Sequence, residues 1–357
     1  MRTASGRHSP TTSSAPRRTS KRCPDYTGRV KLSTAFPAIA SATTATLLVS
    51  GCSILPGTAD DQAGGNYPQT IDSPYGTTEI PEQPTTVAVT SSVDLDIALS
   101  LGVDPVLAPA ATADDSGLSP WAAAALKDKG LDAPATYDAA DGPDLDALKE
   151  AAPDVILATG LDSAEADYDA LSQIAPVAAS APDATWTDRT AAVATALDRA
   201  DEAKTVVDDI ATTAEDIASS HLEFEDTTYT FANVEKSSVD YLSFDGSDSS
   251  FFTGLGLLPS TSAKEYTADE HEVKTSQIDR LDADVLFIHF PDKGKGLFDK
   301  ADLADPFYRE VKVIRGKHYA ILDDDEFTAL TNLSPLSYPW LLDDLPDAIG
   351  TAEQGEA

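Results

Sequence analysis

Leu148-Lys149-Glu150-Ala151-Ala152-Pro153-Asp154-Val155-Ile156-Leu157 and Ile278-Asp279-Arg280-Leu281-Asp282-Ala283-Asp284-Val285-Leu286-Phe287 carry one pattern twice, at a constant offset of 130 residues. In both, apolar residues three apart end a helix, an aspartate marks a corner, and a wholly apolar run follows. A run that apolar suits a central parallel strand covered on both faces. Its repetition points to two related lobes.

Outward from each run, short apolar stretches alternate with amphipathic ones, the pattern of an α/β chain. In the first half, strands are expected at Thr86 to Val89, Pro105 to Ala108, Asp154 to Ala158 and Pro176 to Ala179. Helices are expected at Val93 to Leu101, Trp121 to Lys129, Asp144 to Ala151 and Ala164 to Ile174. A long stretch without Pro or Gly follows, Asp188 to Ala200 and then Asp201 to Ser220, with Val206, Ile210 and Ile217 as a partial apolar stripe. Twenty helical residues reach about 30 Å, enough to cross between two lobes. Beyond it, strands are expected at Thr228 to Val234, Val239 to Phe244, Val285 to Phe290 and His318 to Leu322, and helices at Lys274 to Leu281, Pro306 to Val311 and Pro335 to Ile349. The reading is therefore α/β: two Rossmann-like lobes with central parallel sheets, residues 85–187 and 223–350, joined by a helical region at 188–222 and followed by a tail at 351–357.

The 357 residues carry 25 Lys plus Arg against 60 Asp plus Glu, a formal net charge of −35. Such a surface repels phosphate backbones and excludes nucleic acid as a partner. The charge is unevenly distributed. Met1 to Gly51 holds eight basic residues and one acid, leaving 17 basic and 59 acidic residues from Cys52 onward, a net of −42. A basic region, the short apolar stretch Ala35 to Ser50 and small residues at its end describe a secretory signal, too short and Thr-rich to span a bilayer. Leu48-Val49-Ser50-Gly51-Cys52 resembles a bacterial lipobox, in which the cysteine becomes the lipidated first residue of the mature chain. Several acyl chains there would give stable anchoring to a membrane. Translation is expected to begin nearer Val30, leaving Cys23 without a role in the mature protein. Residues 52–84, rich in Gly, Pro, Thr, Asp and Gln, read as a flexible tether, with Tyr75 to Pro81 compatible with a first strand or turn.

Tyr75-Gly76-Thr77-Thr78-Glu79-Ile80-Pro81-Glu82-Gln83-Pro84, Asp96-Ile97-Ala98-Leu99-Ser100-Leu101-Gly102-Val103-Asp104-Pro105-Val106, Pro120-Trp121, Tyr168 to Val177, Trp186, Leu281 to Phe287 and Ser334-Pro335-Leu336-Ser337 run along nearly the whole mature chain. In order and spacing this resembles the iron-siderophore substrate-binding lipoproteins of ABC importers, periplasmic-type binding proteins with one rigid interlobe helix. The resemblance implies a ferric siderophore held in a shallow cleft between lobes that move slightly. It also implies delivery to an ABC transporter permease by a monomer, lipid-anchored on the outer face of a Gram-positive, actinobacterial membrane.

A ferric siderophore is coordinated by its own oxygens, so no metal ligands and no cofactor are expected of the protein. The cleft needs aromatic walls and a few donors or cations. Trp121, Trp186 and Tyr241 are the aromatic candidates, with Phe252 of the Phe251-Phe252 pair. Arg189, three residues after Trp186, is the candidate cation, and Lys236 is a second. The resemblance adds Asn332 and Ser334, where the family's chain re-enters the cleft, with helix capping as their alternative role. So few cations disfavour a polyanionic tris-catecholate and favour a neutral or cationic hydroxamate complex. For docking to the permease, the resemblance implies one acid on each lobe. Asp94 or Asp96 suits the first lobe. On the second, the expected glutamate is replaced by Ser276, leaving Glu265 or Glu270.

Enzyme function is not expected: no nucleophile elbow, phosphate loop or dinucleotide fingerprint occurs, and the five histidines lack metal-ligand spacing. The alternative reading is a haem- or cobalamin-binding lipoprotein, with Tyr241, Tyr266 or His271 as axial ligand.

Overall fold

In the computed structural model, which describes residues 65–111, 117–235, 238–244, 246–291 and 310–356, the first elements form a hairpin. Strands β1 (Gln69–Ser73) and β2 (Gly76–Ile80) pair antiparallel, Gln69 opposite Ile80. These residues lie inside the stretch read as a tether, yet Ile71 and Ile80 are buried. Their alternation gives the hairpin one apolar face, which the Gly- and Pro-rich composition around it masks.

The first lobe contains β3 (Val87–Val89), α1 (Ser92–Ser100), β4 (Leu107–Pro109), α2 (Pro120–Lys129), β5 (Ala135–Tyr137), α3 (Leu145–Ala151), β6 (Val155–Ala158), α4 (Ala164–Leu171) and β7 (Val177–Ala179). Its sheet has the order β5-β4-β3-β6-β7, parallel throughout. Strand order reverses between β3 and β6, the position at which open α/β sheets form a crevice at their carboxyl ends.

Helices α5 (Trp186–Leu197) and α6 (Ala200–Ser220, 21 residues) connect the lobes. Asp198, left-handed at φ 51°, makes the elbow between them. Helix α5 packs on the first lobe, against α1, β1 and β7, while α6 packs on the second. Only Ala203, Ile210 and Ala214 of α6 are fully buried, so one narrow stripe holds it. The elbow is clamped from the N-terminal side: the Asn66 backbone and side-chain amides each donate to the Asp198 carboxylate at 3.0 Å, and the Tyr67 hydroxyl donates to the Ala196 carbonyl at 3.0 Å.

The second lobe contains β8 (Thr228–Val234), β9 (Val239–Tyr241), α7 (Ser250–Gly254), β10 (Leu258–Pro259), β11 (Val285–His289), α8 (Lys312–Gly316), β12 (Tyr319–Leu322), α9 (Asp324–Thr331) and α10 (Ser337–Glu353). Strands β10-β8-β11-β12 are parallel neighbours, and β9 pairs antiparallel with β8. The helix expected at Lys274 to Leu281 is a kinked 3-10 segment, Thr275–Leu281. Most of the one expected at Pro306 to Val311 falls outside the described residues.

The repeated aspartate does the same work in both lobes. Asp154 Oδ2 accepts the backbone N–H groups of Thr85 and Thr86 and the Thr85 hydroxyl at 2.7–2.9 Å. Asp284 Oδ2 accepts the Thr228 N–H and hydroxyl at 2.9 and 2.6 Å. Each carboxylate thus ties the corner before one central strand to the start of its neighbour. The lobes also share one apolar core, containing Leu95, Trp121 and Val193 with Phe224, Tyr229 and Ile349.

Candidate functional site

The aromatic residues that face one another where α5 meets the second lobe enclose a cavity of about 410 Å³. Trp186, Phe231, Phe244, Phe251 and Phe252 line it, with Leu330 and Leu333 on one side. Trp186 is set by a capping box: the Thr185 hydroxyl and the Asp188 carboxylate satisfy the free amides of the first turn of α5. Its backbone N–H donates to Asp248 at 3.2 Å and its indole N–H to Ser250 at 3.1 Å, so the second lobe grips it. Its ring packs on Tyr338, centroids 5.6 Å apart. Phe252 lies between Tyr229 and Phe287 at 4.3 and 4.6 Å, fixing the aromatic floor.

Arg189 follows one turn after Trp186 and lines the same cavity. It is half-buried, forms no ion pair among the described residues, and its Nε has no hydrogen-bond partner. A guanidinium so placed favours an oxygen-rich ligand. Asp183 and Asp248 are exposed at the rim. Burial raises the Tyr229 hydroxyl well above its ordinary range.

The other sequence candidates lie elsewhere. Trp121 is buried, and its indole N–H donates to Asp96 Oδ2 at 2.6 Å while its ring packs on Trp340. Tyr241 is fully buried beneath Tyr266, with its hydroxyl on Ser260, and so walls no cleft. Ser334 is fully buried and donates to the same Asp96 oxygen at 2.7 Å. Asn332 is exposed, its amide on the Thr328 carbonyl at the end of α9, beside but outside the cavity lining. Lys236 and Cys52 fall outside the described residues.

The docking acids need correction too. Asp94 is 0% and Asp96 2% exposed, so neither presents a carboxylate to a partner. Asp94 fills the crevice between β3 and β6, accepting the Ser91 hydroxyl and the Thr159 and Gly160 amides. Burial raises its pKa and pushes that of Asp96 up to about 7. Of the proposed haem ligands, none lines the cavity: Tyr241 and Tyr266 are buried together, and His271 stacks on the far side of Phe244.

Phe231, Phe244, Leu330 and Leu333 were not singled out from the sequence. The available signal was the alternation of Tyr229 and Phe231 along β8, which points both rings to one face.

The periplasmic binding protein family model matches residues 87–326, and the chain belongs to that family. Its members are extracytoplasmic substrate-binding proteins of importers, so this is a binding protein and not an enzyme. Among solved structures, the fold is similar to Streptococcus pneumoniae PiaA in complex with ferrichrome, at TM-score 0.71 and 25% identity, covering 80% of this chain and 99% of that one. It is also similar to a periplasmic solute binding protein from Mycobacterium smegmatis, at TM-score 0.65 and 23% identity over 80% and 98% of the two chains. Staphylococcus aureus SirA complexed with staphyloferrin B gives 0.64 and 20% over 79% and 98%. The last two, below a quarter identical, bear on the fold alone. No curated protein sequence matches the chain.

Proposed function

We propose that the chain binds a ferric siderophore of the hydroxamate type in the cavity between its lobes and hands it to an ABC importer. The observation that carries this reading is Arg189, half-buried and without an ion pair among the described residues, set among aromatic walls in a chain of net −42 from Cys52 onward. One guanidinium suits the oxygens of a neutral complex, while the surrounding acids repel a polyanionic chelate. The resemblance to PiaA, whose structure holds ferrichrome, supports the same ligand class. Trp186 and Phe252 supply the walls, with Asn332 at the edge of the cleft and Lys236 as a further cation.

Residues 1–51 act as the signal, Cys52 carries the lipid, and the stretch after it spaces the monomeric binding body from the extracytoplasmic face of the membrane. Exposed acids other than Asp94 and Asp96 meet the permease.

Titrating tryptophan fluorescence with ferric hydroxamates, ferric catecholates, haem and cobalamin tests the ligand. Quenching by hydroxamates at micromolar protein is expected. Binding of a ferric catecholate without any hydroxamate response overturns the assignment. Replacing Cys52 with Ala is expected to move the protein from the membrane to the soluble fraction.

A further inference from the structure

One wall of the cavity is fastened from the opposite lobe. Leu330, Thr331 and Leu333 line the cavity, and the next residue, Ser334, reaches across to α1. Its hydroxyl donates to Asp96 Oδ2 at 2.7 Å and accepts the Leu336 and Ser337 amides at 3.2 and 2.9 Å, using its full hydrogen-bonding capacity. The Ser337 hydroxyl accepts the Ser334 amide at 2.9 Å, closing the turn that leads into α10. The same Asp96 oxygen accepts the Trp121 indole at 2.6 Å, and Trp121 packs on Trp340 of α10 at 5.2 Å. Two donors, one from α2 and one from the turn before α10, therefore converge at one oxygen of α1.

We propose that Asp96 is a positioning residue for the ligand cleft: from the first lobe, through Ser334, it fixes the wall formed by residues 330–333. This rests on the ligand occupying that cavity. The other carboxylate oxygen, Oδ1, is buried without a hydrogen-bond partner. A proton on Oδ1 leaves Oδ2 free to accept both bonds, so the junction survives in either charge state. An amide at this position, with its oxygen in place of Oδ2, reproduces the neutral form.

Among the described residues, no charged group of the neighbouring elements shifts the pKa of Asp96. Asp94 on α1 is engaged by Ser91, Thr159 and Gly160, and Lys129 of α2 donates to the Leu99 carbonyl. Lys127 and Asp128 of α2 and Asp343, Asp344 and Asp347 of α10 are exposed. On α5, Asp188 caps Thr185 and Arg189 lines the cavity. Burial alone therefore raises the carboxyl, to about 7.

The test compares the wild type with Asp96→Ala, Ser334→Ala and Asp96→Asn. It uses ferrichrome affinity, amide hydrogen exchange of residues 330–333 without ligand, and the nuclear magnetic resonance signal of the Trp121 indole N–H. Removing either partner is expected to weaken ferrichrome binding about tenfold and to speed exchange in the wall. Asp96→Asn restores both. In the wild type the Trp121 signal moves with pH around 7, and in Asp96→Asn it does not. Wild-type affinity and wall protection in both alanine variants overturn the proposal, as does an Asp96→Asn defect equal to that of Asp96→Ala. Should Asp96→Ala not fold, Ser334→Ala carries the test. Should the wild type bind no ferrichrome, the ligand assignment fails, while the exchange and indole readouts still decide the role of Asp96.

Discussion

Arg189, half-buried, and Asp96, fully buried, are held by the structure in different ways. Arg189 lies at the edge of a cavity and leaves its Nε without a hydrogen-bond partner among the described residues. A charged hydrogen bond is worth roughly 1.5–3 kcal/mol, so Arg189→Ala is expected to weaken siderophore binding about 10- to 100-fold in a fluorescence titration. Asp96 instead has its pKa raised by burial. Its folded pKa, about 7, lies above the unfolded value of roughly 4, so the unfolded chain releases the proton first as pH rises. The stability it contributes is greatest below pH about 4 and declines until pH about 7. Denaturant unfolding of Asp96→Asn should show a flatter profile across that window, and a gain over wild type at pH 8 of up to about 4 kcal/mol. From the sequence, Trp121 and Ser334 read as cleft residues and Asp96 as a docking acid, whereas the structure buries all three in one junction. Their facing was not legible, because Ser334 meets Asp96 across 238 residues of chain and residue type carries no sign of that contact.

Among the elements, central strands β3, β6 and β11 were readable because strands covered on both faces are mainly apolar, and β8 because Thr, Tyr, Phe and Val favour a strand. Two edge strands escaped, β5 (Ala-Thr-Tyr) and β10 (Leu-Pro), which have little apolar pattern to register, while the edge strands β7 and β12 were expected. Helix α9 was missed because its first turn is Asp324-Asp325-Glu326, which reads as a loop. In the fold those acids favour the helix N-terminus, where the Asp323 capping box begins it. The paired corner aspartates were recognised as a repeat, and the structure supplies their purpose. Asp154→Ala and Asp284→Ala should each cost about 1–2 kcal/mol in denaturant unfolding, since each removes bonds that hold a strand start in place. The amides and hydroxyl around Asp154 hold its carboxyl below the usual range. Its stabilising effect is therefore present above pH about 4 and is lost as pH falls through the lowered folded value, the reverse of Asp96. Thr185→Ala, which removes the cap that sets Trp186, should cost about 1 kcal/mol and weaken ligand binding together.

At the scale of the molecule, two lobes joined by helices would be free to swing if they met only through the linker. Here they share one apolar core and two aromatic pairs, Trp121 on Trp340 and Trp186 on Tyr338. The expected outcome is a single cooperative unfolding transition by calorimetry, and a radius of gyration that changes by less than about 1 Å when ligand is added, measured by small-angle scattering. The elbow at Asp198 completes this frame, because Asn66 fastens Asp198 itself and Tyr67 fastens Ala196, two residues before it. A force applied at residue 65 therefore meets the end of α5 at its elbow before it reaches the strands of either sheet. The load enters at the bend of the helix pair, beside halves already braced against each other, so tension on the N-terminal end of the body need not pry the cleft open.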